Sequence, residues 1–146
     1  MNLKRIFMLA TVADWGKCQA ITPPSNESSW QLTQGETGEP TSVLHIEATT
    51  GTWQIEASDT NPITSGHMTE WTGSSYGSQK LINATRIRAA SEVSLPEGGV
   101  IQTGSKTKGQ GEDVNVTFLQ EGSFADAPVT PDHEYRIVIT FVASHV

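Results

Sequence analysis

His133-Glu134-Tyr135-Arg136-Ile137-Val138-Ile139-Thr140-Phe141-Val142-Ala143 is the stretch that decides the fold of this chain. Tyr135, Ile137, Ile139, Phe141 and Ala143 alternate with Arg136, Val138, Thr140 and Val142. A period of two, carried by β-branched and aromatic side chains, predicts a strand. One of its faces is wholly apolar and the other is mixed. Such a strand needs sheet neighbours and a second layer over its apolar face. Pro131 and Asp132 set its start, because proline cannot donate a ladder hydrogen bond.

Working outward, Thr52 to Ser58 repeats the pattern, with Trp53, Ile55 and Ala57 on one side and Gln54, Glu56 and Ser58 on the other. That alternation suits an antiparallel sheet with one solvated face. Trp53 is expected in the core, facing Phe141 or its neighbours. Thr41 to Thr49 places Leu44, Ile46 and Ala48 inward, and the short Thr50-Gly51 link predicts a hairpin with the Trp53 strand. Asp113 to Gln120 is a further strand, with Val114, Val116 and Phe118 inward. Weaker strands are expected around Trp30 and Leu32, at Gly66 to Trp71 with Met68 inward, across Lys80 to Ala90 with a bend near Asn83-Ala84, and at Val93 to Leu95. Ile21 to Glu27, with tandem Pro23-Pro24, is expected to be extended and irregular. Thr72 to Ser78, which contains Tyr76, reads as a polar loop, and Gly122 to Asp132 as a long one. This makes about eight to nine short strands with turn signals about every 8–12 residues, the spacing of an all-β antiparallel sandwich of immunoglobulin-like or jelly-roll-like type.

The 146 residues suffice for one domain with a sizeable core. Sixteen acidic against nine basic residues give a net charge of −7, without a basic cluster. That balance argues against nucleic acid and against anionic membrane surfaces. The single cysteine, Cys18, excludes an intrachain disulfide framework and a cysteine-based zinc site. Residues 1–20 carry Lys4 and Arg5, then eight apolar or small residues from Ile6 to Ala13. This resembles a secretory leader, with small-x-Ala sites ending at Ala13 and Ala20, and it is too short to span a bilayer. A structural N-terminal strand or short helix is the other reading of the same segment. Residues 21–146 would then form the sandwich, with residues 21–34 as a possible extended donor segment.

Three Asn-x-Ser/Thr sequons mark Asn26, Asn83 and Asn115 as glycosylation candidates in an exported chain. Asn115 and Thr117 fall on the outward side of their strand. His45, His67, His133 and His145 are dispersed and predict no metal site. Asp59, Asn61, Glu112, Asp113, Asp126 and Asp132 fall in loops or at strand ends, but no run has the alternating pattern of a calcium loop. Nucleophile elbow, phosphate loop, dinucleotide fingerprint and His-Glu-x-x-His are all missing from the sequence. Neither catalytic residue nor cofactor is therefore expected.

Several short motifs carry a resemblance. They are the Trp strand ending in Asp (Trp53 to Asp59), Gly66-His67-Met68-Thr69, Lys80-Leu81, Leu95-Pro96-Glu97-Gly98-Gly99, Val116-Thr117-Phe118-Leu119-Gln120 and Tyr135-Arg136-Ile137-Val138. Over about 90 residues the chain resembles small secreted sandwich proteins of archaea, especially methanogens. More loosely, it resembles envelope-associated sandwiches of the camelysin/TasA and WxL type. The resemblance implies an extracellular sandwich, in some relatives assembled into fibres by strand exchange. On that reading the chain is a self-assembling surface protein, with Ile21, Trp30 and Leu32 as assembly residues. The alternative is an adhesion or carbohydrate-binding module, with Trp71 and Tyr76 as stacking residues and glycans as partners.

Overall fold

The computed structural model describes residues 3–12, 18–22, 27–32, 34–49 and 51–145, the strands before residue 32 by their backbone. Among the described residues there is no helix, and the chain is a two-sheet antiparallel β-sandwich. Its strands are β1 (Leu3–Val12), β2 (Cys18–Thr22), β3 (Glu27–Gln31), β4 (Thr37–Gly38), β5 (Thr41–Ala48), β6 (Thr52–Ser58) and β7 (Thr69–Trp71). They continue as β8 (Tyr76–Lys80), β9 (Arg86–Arg88), β10 (Glu92–Ser94), β11 (Gly99–Ser105), β12 (Glu112–Glu121) and β13 (Glu134–His145).

One sheet runs β11-β6-β13-β1-β3, with the β7–β8 hairpin attached to β13. The other runs β10-β9-β12-β5-β2, with β4 paired to β12. The pairing of β1 with β13 is parallel, and every other pairing is antiparallel.

β13 is the strand around which the core forms. Tyr135, Ile137, Ile139, Phe141 and Ala143 are all fully buried, while Arg136, Val138, Thr140 and Val142 are half-buried. Alternate residues of a strand point to opposite faces, so one register commits the whole apolar set to the interior. From the opposite sheet, Leu44, Ile46, Val114, Val116 and Phe118 close the same core. The Phe118 and Phe141 rings meet edge to face across it, centroids 6.5 Å apart.

Trp53 is buried on β6 beside β13, where Ala57 stands opposite Phe141 and Trp53 opposite His145. Its indole Nε1 donates to the Ser105 carbonyl at 2.6 Å, and the ring lies against Gly104, where a Cβ would come within 2.3 Å of it. A side chain at position 104 would therefore push Trp53 off its seat.

Four expectations are corrected. β5 and β6 are not a hairpin: β5 pairs with β12 and β2, whereas β6 pairs with β11 and β13 in the other sheet. Both strands present an apolar face to one core, so the link through Gly51 (φ 68°) carries the chain from one layer to the other. The Lys80 to Ala90 run is two strands, β8 and β9, separated by residues 81–85. There the amides of Leu81, Ile82 and Thr85 donate to Met68 O, the Asp126 carboxylate and Gly66 O instead of to a ladder. Tyr76 opens β8 and is not in the loop, which shrinks to a turn closed by the Thr72 amide on Ser75 O. Ile21 and Thr22 lie in β2 and Glu27 in β3, so both ends of the stretch expected to be irregular are strand, and residues 23–26 lie outside the described residues.

Candidate functional site

The two flanks of the sandwich differ. On one, the edge strands are β10 and β11. β10 is three residues long, β11 carries a register shift between Val100 and Gln102, and the Ser91 amide donates to Ile101 O at 3.0 Å. Short strands and bulges blunt an edge against pairing with other chains. Beside β8, the Gln79 side chain ties the hairpin to the loop before β13: its Nε2 donates to Ala127 O at 2.9 Å and to the hydroxyl of Tyr135, which itself donates to Ala127 O. On the opposite flank the edge strands are β2 and β3. β2 reads Cys-Gln-Ala-Ile-Thr, without charge or proline, and its only strand partner among the described residues is β5. β2 too carries a register shift, between Cys18 and Ala20, but no charged residue or proline guards it.

The three assembly candidates are thereby placed. Ile21 lies in edge strand β2, opposite Ile46. Trp30 lies in edge strand β3, opposite Lys4 of β1. Leu32 is 1% exposed, within the core. The first two share a flank; the third is a core residue.

A second candidate surface lies on the outer side of β13, where the β7–β8 hairpin sets Trp71 opposite Tyr76. Their rings meet edge to face at 5.0 Å. The Arg136 guanidinium lies 4.0 Å over the Trp71 ring and 6.0 Å from the Tyr76 ring. Register explains the contact: Trp71 faces Glu134, so Arg136, two residues on, is its diagonal neighbour on the same face. A cation over indole contributes about 0.5–1 kcal/mol at such a site. The Tyr76 hydroxyl is buried and has no hydrogen-bond partner among the described residues. Burial raises its pKa above the usual phenol value, with the Arg136 charge opposing. Sequence pointed to Trp71 and Tyr76 but not to Arg136, whose place on the outward side of the Tyr135 to Ala143 alternation was the available signal.

The sequons separate as well. Asn115 is exposed on β12 beside Val43, in an open groove with Thr41 and Ser42. Asn83 is half-buried, and Thr85 of its sequon is fully buried and donates to Gln120 Oε1 at 2.7 Å. Asn26 lies outside the described residues.

Two loop carboxylates are buried and fully engaged. Asp59 accepts from Thr64 Oγ1 (2.5 Å), the Gly66 amide (2.7 Å) and the Asn61 amide (3.0 Å). Asp126 accepts from the Ile82 amide (2.9 Å) and the Ser123 amide (2.8 Å). Backbone amides and the Thr64 hydroxyl solvate the two carboxylates, which act as clamps joining loops. The turn residues Asn61, Pro62 and Gly66 after Asp59 were the sequence signal for such a clamp.

The histidines are dispersed in space too. His45 Nδ1 bonds Asp113 at 2.8 Å and His133 Nδ1 bonds Glu70 at 2.9 Å, while His67 Nδ1 bonds Leu81 O at 2.9 Å. The ladder places His145 opposite Trp53. Among the described residues, no group of three or more His, Cys, Asp or Glu is arranged to hold a metal ion, and no helix is long and apolar enough to cross a membrane. No protein-family model and no curated protein matches this chain.

Proposed function

We propose that this chain is an extracellular structural protein, a self-assembling subunit of a surface filament, sheath or matrix, joined to its copies through sheet edges. The observation that carries the reading is the flank on which β2 and β3 each end a sheet, with β2 free of charged residues and of proline. An uncharged edge strand is a template for another chain. The buried carboxylates support a non-catalytic role, because their oxygens already accept from loop amides and the Thr64 hydroxyl. The exposed Asn115 sequon, the leader-like start and the resemblance to secreted archaeal and envelope sandwiches support an extracellular place. Electron microscopy and sedimentation over a concentration series test the reading. Assemblies that grow with concentration are expected; monomers alone at high concentration would overturn it.

A second reading, a carbohydrate-binding module, has one observation in its favour. The hairpin brings Trp71 and Tyr76 together on an outer face, with a tyrosine hydroxyl that lacks a partner there. Against it, Arg136 already covers one face of the Trp71 ring. Glycan binding that disappears in Trp71→Ala, in a protein that stays monomeric, would favour this alternative.

A further inference from the structure

Asn115 stands on β12, the middle strand of the β10-β9-β12-β5-β2 sheet. Residues two apart on a strand share a face, so Asn115 and Thr117, the amide and the hydroxyl of one Asn-x-Thr sequon, lie side by side on the outer face. Asn115 is exposed and Thr117 half-buried, and neither side chain has a hydrogen-bond partner among the described residues. The ladder sets Asn115 opposite Val43 of β5, and Thr117 opposite Thr41. Thr41, Ser42, Val43 and Asn115 line an open groove of about 420 Å³. On its other side Asn115 borders a second hollow, with Ala89, Ala90 and Gln102. Val43 is 38% exposed, one of four large apolar side chains left to solvent among the described residues. The Asn83 sequon has no such room. Asn83 O accepts from Gln120 Nε2, and Thr85 is fully buried with its hydroxyl bonded to Gln120 Oε1.

We infer that Asn115 is the N-glycan acceptor of this chain, and that the first sugar lies over Val43 in the groove beside it. This rests on the extracellular reading above and names the site and what it covers. The donor is an oligosaccharide carried on a polyprenyl phosphate and moved by a transferase of the export route. Asn115 Nδ2 bonds to the anomeric carbon as the sugar–phosphate C–O bond breaks. The carrier phosphate leaves with the electron pair, and the amide gives up one proton. A sugar at this place displaces no buried contact, because Asn115 already points to solvent. The C–H face of a pyranose meets the Val43 methyl groups, which removes apolar surface from water, and its hydroxyls reach Thr41 and Ser42. A glycan is bulky and solubilising, so it closes the outer face of this sheet to stacking. β5 separates β12 from edge strand β2. The glycan therefore stands two strand spacings, about 10 Å, from that edge and leaves it to pair with a copy.

The test uses the full chain made by its native host, digested and weighed peptide by peptide. Added sugar mass on the peptide that holds Asn115 is the expected result. It should be lost in Asn115→Gln and in Thr117→Val, and kept in Thr117→Ser, which retains the hydroxyl. The seat over Val43 is read separately, with Val43→Cys in a Cys18→Ser background. A maleimide should label that thiol more slowly in the glycosylated chain than in the same chain with Asn115→Gln, and equal rates would overturn the seat. A chain found outside the cell with Asn115 unmodified, or with sugar on Asn83 alone, would overturn the acceptor assignment and leave the extracellular reading standing. A chain that stays inside the cell without sugar would overturn both.

Discussion

The contact between Phe118 and Phe141 is the sharpest test of two facing sheets. Phe118 belongs to β12 and Phe141 to β13, in opposite sheets; both are fully buried, with ring centroids 6.5 Å apart at 61°. Phe141→Ala removes a ring from the centre of the core, and a change of this kind costs about 3–5 kcal/mol. A natural domain has about 5–15 kcal/mol in total, so the variant should lose a large fraction of its stability. In urea this is a midpoint lowered by about 1–3 M. Phe118→Leu and Phe141→Leu, alone and together, refine the test, because leucine keeps most of the burial and loses the ring-to-ring term. An edge-to-face pair contributes about 0.5–1.5 kcal/mol beyond area, which is the expected coupling in the double-mutant cycle. Equilibrium unfolding followed by tryptophan fluorescence and circular dichroism measures it. Coupling below about 0.3 kcal/mol, together with a small loss in Phe141→Ala, would mean that the rings do not meet across the sandwich.

Asp59→Ala removes the acceptor shared by Asn61, Thr64 and Gly66 and leaves buried donors unmatched, a loss of about 2–3 kcal/mol. Amide exchange across residues 59–66 should quicken more than exchange in β12. Gly98→Ala introduces a Cβ at φ 63° that would lie 1.7 Å from Ala57 O, so the turn must shift. About 1–3 kcal/mol is expected, read as a lower unfolding midpoint. The hydrogen bond to Asp113 raises the His45 pKa above 6.5, with a smaller opposing effect of burial and further help from Glu47. A raised folded-state pKa means that this contribution is complete below pH 6.5 and fades as pH climbs through the folded value. The pair is largely exposed, so the effect stays below about 1 kcal/mol. The drop in melting temperature from pH 5.5 to pH 8, values chosen to bracket the transition, should be larger in the native chain than in His45→Gln.

Several strands and their inward faces were legible in the alternation of Trp53 to Ser58, Asp113 to Gln120 and Tyr135 to Ala143: the residues it turns inward are buried there, although Leu119, which it turns outward, is buried too. A period of two is a local property: it follows from the pleat of one strand and the water on one side of it. The same property misled at Thr41 to Ser58, where two alternating strands around a short link read as a hairpin and proved to lie in different sheets. It also misled at residues 81–85, where amides find loop oxygens instead of a ladder. Of the candidate sites, Trp71 and Tyr76 were legible as aromatics around a turn. Their half-burial, Arg136 over the indole and the placing of β2 and β3 at sheet edges were not.

By itself, then, the sequence determined fold class and which side chains avoid water, because both depend on neighbours a few residues away. Only the tertiary structure decided which strands pair, which of the described strands end each sheet, and that Leu3–Val12 sits between β13 and β3. Those outcomes depend on contacts between residues distant in sequence, in the β1–β13 ladder more than a hundred positions apart. Alternation tells a strand which way to face, and packing against distant strands alone tells it whom to lie beside.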